Sequence, residues 1–405
     1  MLKVRGGPVA SADMSATVDE ALGCLLGILP YPVAETILLD RCAGRVLAAT
    51  ILSDVAQPPF DTAAMDGWAV NGGTAGLYRV VGESRAGQRF EGELQRGEAA
   101  LISTGAALPN GACRIVRREQ AKLHGALVEL PDLDPDRLDI RFRGEDFAIG
   151  QGLVETGRKI DHLDLARLSA AGVADTSVTT RPKVIIVPTG DEIIPAGGAR
   201  SADQIYDSIS LPLAIRCRDA GAVVDISPVV HDDEVAARQA FAGMARDIVV
   251  VIGGASKGKH DLVRPALESF GLDVIISSVR MRPGKPFWAG CLDDGRLVIG
   301  LPGNPLAALV CAELFLLPVI RAWQGAAPKP PIMSIPCSMP IKPAATFERF
   351  LFGQLSIDAG GQCVAQPCGG DDSAALSPVA GADLLLRVRP GDHANDRVEA
   401  MRLQF

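Results

Sequence analysis

VIIVPTGDE (184–192), VVVIGGASKGKHD (249–261) and LVIGLPGNP (297–305) decide the fold. Each begins as a run of Val, Ile and Leu, which reads as a strand buried on both faces, as in a parallel sheet. Each then breaks into a loop. The first loop is acidic, the second is glycine-rich and basic, and the third is held by prolines. Open α/β sheets place their ligands at the carboxyl ends of parallel strands. This set of loops suits a phosphorylated ligand together with a divalent cation.

Working outward, strands are expected at 183–188, 222–229, 247–252, 273–280 and 297–300. Helices are expected at 207–220, 233–245, 261–270 and 305–316. That alternation predicts a three-layer α/β domain over 181–324. The Pro-rich linker GAAPKPPIM (325–333) follows, then short strands with Gly turns form a small β-barrel-like domain over 333–405. Upstream, LYRVVGES (77–84), AALISTG (99–105) and ALVELPDL (126–133) predict a small β domain over 51–140. It interrupts a helical and extended domain made of 15–50 and 141–180. There, Ser15 or Thr17 caps a first helix, DRCAGRVLAAT (40–50) gives a second, and DHLDLARLSAAG (161–172) a third.

The 405 residues are too many for one ordinary core, and 48% apolar composition excludes a disordered chain. A net charge of −8 disfavours broad binding to nucleic acid or anionic membrane. The nine cysteines are scattered with no C-x-x-C pair, the pattern of reduced thiols in a cytoplasmic protein. The N-terminus carries no apolar signal region. The longest apolar run, 305–320, is shorter than a membrane span, contains Glu313 and reads as a core helix.

Every loop has a plain structural reading beside a chemical one. In GDE (190–192), Asp191 and Glu192 are hard oxygen ligands for Mg²⁺, or a solvated turn with Asp191 capping a helix. In GGASKGKHD, Gly253, Gly254, Ser256, Lys257 and Gly258 form a phosphate cradle at a helix start, with Asp261 either a ligand or an N-cap. Gly253 to Lys259 matches the G-x-x-x-x-G-K pattern, but His260 stands where a nucleotide-binding P-loop needs Ser or Thr. No later strand ends in a Walker B acid, so the NTPase reading is set aside. RMRPGKP (280–286) holds Arg282 and Lys285 on a rigid Pro-Gly turn suited to an oxyanion. In LPGNP (301–305), Pro302, Gly303 and Asn304 lead into a helix that Pro305 opens and Asn304 caps.

FDTAAMDGWAV (60–70), STGAALPNGA (103–112), RGEDF (143–147), PTGDEI, IYDS, VIGGASKGKHD, MRPGKPF and LPGNPLAA, in this order, resemble the molybdopterin molybdenumtransferase family (MoeA, or the gephyrin E domain). The resemblance spans nearly the whole chain. It implies a MoaB/MogA-like molybdopterin-binding α/β domain and insertion of molybdate into adenylylated molybdopterin with release of AMP. It also implies a Mg²⁺ requirement and a homodimer whose site is shared between subunits. A molybdopterin adenylyltransferase and client molybdoenzymes are the further partners implied. Residue by residue, it assigns catalytic roles to Asp66, Thr104, Asp146, Glu192, Asp232 and Asp261, and metal binding to Asp191, Glu192 and Asp261. Ligand binding falls to the cradle named above, Arg282, Lys285, Pro302, Gly303, Asn304 and Ser373. The chain departs from the family pattern at Thr62, Ala63, Cys113, Ile209, Lys257 and Lys259, and at Phe347, where a basic residue is usual. Ile209 and Lys259 keep open a second reading, a paralogue that carries molybdopterin or the finished cofactor without turnover.

Overall fold

The computed structural model describes residues 15–403, apart from 133, 243–245, 255–262, 343, 345, 371 and 392–396. These residues form two compact units. One contains the described residues up to Glu35, Gly44–Ala48 and everything from Val178 onward; the other contains Thr36–Ala43 and Ala49–Ser177.

The larger unit begins with helix α1 (Val18–Gly27). Thr17 accepts from Glu20 N through its hydroxyl, and the Glu20 carboxylate accepts from Thr17 N, so two orphan donors of the first turn are satisfied. The face Val18, Ala21, Leu22 and Leu25 is buried in the main core. A six-stranded sheet follows. Its strands, in chain order, are β1 (Lys183–Pro188), β2 (Val223–Ile226), β3 (Ile248–Ile252), β4 (Asp273–Ile276), β6 (Trp288–Cys291) and β7 (Leu297–Leu301). Met281–Arg282 forms β5, which belongs to another sheet. The spatial order is β2-β1-β3-β7-β6-β4. The first four strands run parallel, whereas β6 is antiparallel to both β7 and β4. The expected parallel core is therefore present. β6, which the sequence reading passed over, makes one edge of the sheet mixed.

Helices α2 (Ser210–Asp219), α3 (Glu234–Ala242) and α4 (Val263–Glu268) connect the strands. Every residue of β3 is buried, which is why its sequence shows no alternation. Two hydrophobic clusters lie on the strands' alternate residues: Val184, Ile186, Val250 and Ile299 belong to one, Val187, Val249, Val251 and Val298 to the other. Burying each such side chain contributes about 1.5–3 kcal/mol.

The apolar run after β7 continues further than its sequence suggests. Helix α5 (Pro305–Cys311) passes through a π-helical turn (Ala312–Leu316) into α6 (Leu317–Trp323). Pro318 lacks the N–H of a regular turn, and the wider turn before it relieves the clash with the preceding carbonyl. The 19-residue stretch is long and apolar enough to cross a membrane by composition, yet most of it is buried inside the protein, as befits a core helix. Glu313 sits within it because Arg216 of α2 reaches its carboxylate at 2.7 Å.

Beyond the linker lie β8 (Ile332–Pro336), β9 (Glu348–Ile357), β10 (Cys363–Pro367), β11 (Leu384–Val388) and β12 (Arg397–Arg402). β9 pairs with β10 and β11, β11 with β12, and β12 with β8. A bridge between Cys337 and Ala365 joins the end of β8 to β10 and closes the sheet on itself. β5 adds to β9, with Met281 opposite Glu348 and Arg282 opposite Arg349.

The smaller unit is organised around a six-stranded sheet. Its order is Arg114–Arg117, Gly67–Val70, Glu98–Ile102, Gly76–Ser84, Leu127–Leu130 and Lys122–His124. Both faces carry cores, one with Ala69, Ala100 and Ile102, the other with Trp68, Val70 and Ala99. Helix His162–Ala170 is capped by Asp161, with Asp164 completing the box. The second helix expected at 40–50 does not form. Only a 3-10 turn (Leu39–Arg41) is present, and Gly44, at φ 71°, takes a left-handed turn that a helix cannot continue through.

Candidate active site

In-register pairing places Pro188, Ile252 and Leu301 side by side at the ends of β1, β3 and β7. The three loops therefore leave the sheet at one level. Thr189 donates to Ile252 O through both N (3.0 Å) and Oγ1 (2.9 Å), and Gly253 N donates to Leu301 O at 3.1 Å. Gly253 has φ 90°, and a Cβ there would sit 2.8 Å from Thr189 Oγ1, so glycine is required. Gly303 lies against Gly253, with 3.8 Å between a Cβ built on the first and Cα of the second. Gly253, Gly254 and Gly303 thus bring bare backbone to one place, as a phosphate cradle needs. Ser256, Lys257, Gly258, Lys259 and Asp261 lie outside the described residues.

In the acidic loop, Gly190 N donates to Val230 O at 3.1 Å. Asp191 does not cap a helix through its carboxylate. Its Oδ1 meets His231 Nδ1 at 3.0 Å and accepts from Asp232 N at 3.3 Å, which ties GDE to the HDD segment after β2. Asp191 and Glu192 are exposed. Among the described residues no three His, Cys, Asp or Glu side chains gather to hold a metal. Mg²⁺ is commonly held by one or two carboxylates with water and substrate phosphates completing its shell, and Asp191 and Glu192 are two adjacent exposed carboxylates of that chemistry. His231, which the sequence reading did not single out, is the new member of this group. Its position beside Asp232 was the available signal.

Ile209, read from sequence as a lost polar group, is buried in the core at 5% exposure. The start of α2 is capped instead by Asp207, whose Oδ1 accepts from Ile209 N and Ser210 N at 2.9 and 3.0 Å.

Asn304 occupies the N-cap position of α5, but its side chain makes no capping bond. Its Nδ2 donates to Ser373 Oγ at 3.0 Å, and Leu306 N donates to Ser373 O at 2.9 Å. Arg282, Arg349 and Ser373 line a pocket of about 500 Å³ with Phe347 and Thr346. Lys285 approaches the same Phe347 ring.

The remaining candidates lie in the smaller unit. Thr104 donates to Asp66 Oδ1 through its backbone N at 2.6 Å and its hydroxyl at 2.8 Å. The backbone N–H, then the hydroxyl, hold the Asp66 carboxyl below the usual carboxylate range. Asp146 lines a cleft of about 530 Å³ with Gly105, Arg141 and Glu145.

An α/β sheet with three loops leaving adjacent strand ends, a closed β domain after it and a separate β unit define a multidomain α/β and β protein with a candidate ligand site at the strand ends. Three family models match in sequence: the MoeA N-terminal region (domains I and II) at 16–172, a probable molybdopterin-binding domain at 185–322, and the MoeA C-terminal region (domain IV) at 334–403. A molybdopterin molybdenumtransferase of Haemophilus influenzae is 32% identical over 364 residues, covering 87% of this chain and 89% of the relative. One from a Nostoc species is 32% identical over 307 residues, covering 72% and 70%. The crystal structure of a molybdopterin biosynthesis MoeA protein from Pyrococcus horikoshii superposes with a TM-score of 0.80 at 26% identity, covering 97% of this chain and all of the other. The chain belongs to the molybdopterin molybdenumtransferase (MoeA) family.

Proposed function

We infer that this protein is a transferase of molybdenum cofactor biosynthesis, which inserts molybdate into adenylylated molybdopterin and releases AMP. The observation that carries this reading is the convergence of the GDE, GG and PGN loops at one end of β1, β3 and β7, in a chain of this family. Backbone N–H groups of the loops bearing Gly253, Gly254 and Gly303 hold the phosphates of the pterin substrate; the same role is proposed from sequence alone for Ser256, Lys257 and Gly258, which lie outside the described residues. Pro302 keeps the third loop rigid. Arg282 and Lys285 attract molybdate, a doubly charged oxyanion. Asn304 and Ser373 hold the loop and the C-terminal domain together at the pocket wall. Catalysis is then positional and electrostatic, with the reacting groups held in place by fixed charges.

Asp191 and Glu192 are the described residues that would hold Mg²⁺; Asp261, outside the described residues, is proposed as a third carboxylate from sequence alone. When bound, the ion neutralises charge on the phosphate link to AMP. Asp232 supports the acidic loop, and the family resemblance alone carries the proposed roles of Asp66, Thr104 and Asp146. We further propose a cytoplasmic homodimer that receives its substrate from a molybdopterin adenylyltransferase and serves molybdoenzymes.

The deciding experiment incubates purified protein with adenylylated molybdopterin, molybdate and Mg²⁺. AMP release together with reconstitution of a cofactor-free molybdoenzyme is expected. Tight binding of the pterin without AMP release would favour the carrier reading instead.

A further inference from the structure

Phe347 stands where two cations meet. Arg282 Cζ lies 5.8 Å and Lys285 Nζ 5.9 Å from the centroid of its ring. Both distances fall within the range of cation–π attraction. Among the described residues neither cation forms an ion pair with a carboxylate. A third cation is adjacent. Arg349 lies opposite Arg282 in the parallel β5–β9 pair, and both arginines line the same pocket of about 500 Å³ as Phe347 and Ser373. Neighbouring strands are about 4.8 Å apart, so like charges at this register repel and tend to splay. Arg349 is restrained by donating to Lys342 O at 2.9 Å. Arg282 and Lys285 have the ring.

The choice of an aromatic ring has a chemical consequence. A carboxylate in its place would hold the two heads still but cancel their charge. A ring face attracts cations through its quadrupole and adds no net charge. The cationic heads therefore lose freedom without the ring cancelling their charge; Asp372 also lines the pocket, its Oδ1 accepting from Ala374 N at 2.9 Å. That is preorganisation for an anion: the ordering cost is met before the ligand arrives.

We propose that Phe347 is a positioning residue for oxyanion capture, acting through Arg282 and Lys285 and not by touching the reacting atoms. The proposal rests on the transferase reading for the identity of the anion, molybdate. It does not rest on that reading for the geometry.

The test uses the full-length protein and two readouts: equilibrium dialysis against molybdate alone, and steady-state AMP release with molybdate varied. Phe347→Leu removes the ring, and Phe347→Tyr keeps it. For Phe347→Leu, molybdate affinity should fall and molybdate KM rise by roughly five- to thirtyfold, the combined effect of two exposed cation–π contacts. The kcat at saturating molybdate and the KM for the pterin should stay within about twofold, because only ground-state capture of one substrate is lost. Phe347→Tyr should match the wild type. If Phe347→Leu does not fold, Phe347→Met, nearer in volume, takes its place with the same expectation.

Unchanged molybdate affinity in the ring-less variant overturns the proposal. So does a Tyr variant as weak as the Leu variant, or equal loss of pterin and molybdate binding, which marks general damage. A wild type that binds molybdate but releases no AMP sinks the transferase reading, and the dialysis comparison still decides the role of Phe347. A wild type that binds no molybdate overturns that role.

Discussion

Asn304 donates to the Ser373 hydroxyl at 3.0 Å across 69 positions of sequence. The bond replaces the side-chain cap that Asn304 would otherwise give its own helix. Because Leu306 N also donates to Ser373 O, the C-terminal domain takes over part of the capping of α5. The loop at the end of β7 and the loop carrying Ser373 are thereby held as one wall.

Ser373→Ala should cost about 0.5–1 kcal/mol, the low end for a hydrogen bond in an exposed setting, since the backbone bond survives. A double-mutant cycle with Asn304→Ala, read by urea unfolding, should give a coupling energy of similar size. Strictly additive losses would mean the two side chains do not cooperate.

Glu192→Gln removes charge from an exposed loop side chain. Stability should change by less than about 0.5 kcal/mol. AMP release should fall by at least about 100-fold and need more Mg²⁺ to saturate, since a lost metal carboxylate removes transition-state charge stabilisation. Titrating Mg²⁺ against both proteins checks this, and equal Mg²⁺ dependence would take Glu192 out of the metal site.

The two Thr104 hydrogen bonds keep Asp66 ionised below the usual carboxylate range. Thr104→Val deletes the hydroxyl bond and keeps the backbone one. The charged form of Asp66 then loses a donor, so its pKa rises. If catalysis needs the ionised carboxylate, the acid limb of the pH–rate profile moves to higher pH, with the largest loss below neutrality. An unmoved limb would remove Asp66 as the group that titrates there.

Asp19 of α1 reaches Arg387 Nη2 at 2.8 Å and Lys329 Nζ at 3.0 Å, pinning the first helix to β11 and the linker. The Arg387 hydrogen bond, against the opposing effect of burial, brings its carboxyl down to about 2. A depressed folded-state pKa stabilises the protein above the unfolded value of about 3.9. That contribution is lost as pH falls from about 4 to about 2. Asp19→Asn should therefore be less stable at pH 7 by about 1 kcal/mol, discounted because Asp19 is half exposed. The gap should narrow on acidification. Urea unfolding at pH 7, 4 and 2.5 reads this, and a gap independent of pH would mean the charge contributes nothing.

Much of the fold was legible because its causes are local. The runs at 184–187, 249–252 and 297–301 are so uniformly apolar that only burial on both faces accommodates them. Thr17 with Glu20, and Asp161 with Asp164, announce helix starts three residues apart. The loops that end β1, β3 and β7 were readable for the same reason: glycine, proline and acid patterns state what the backbone there can do. Local propensity also misled. DRCAGRVLAAT has helix-forming residues, but Gly44 takes a left-handed turn and Val46 and Leu47 enter bridges.

What the tertiary structure alone decided are the pairs between distant segments. His231 against Asp191, Ser373 against Asn304, and the Phe347 ring against Arg282 and Lys285 carry no periodicity or spacing that a chain displays. Nor does Ile209, whose buried place depends on how α2 packs. A strand or a cap is set by interactions within a few residues, and its pattern is written along the chain. A site is set by which loops the sheet order brings to one level, and that order follows from packing the whole core.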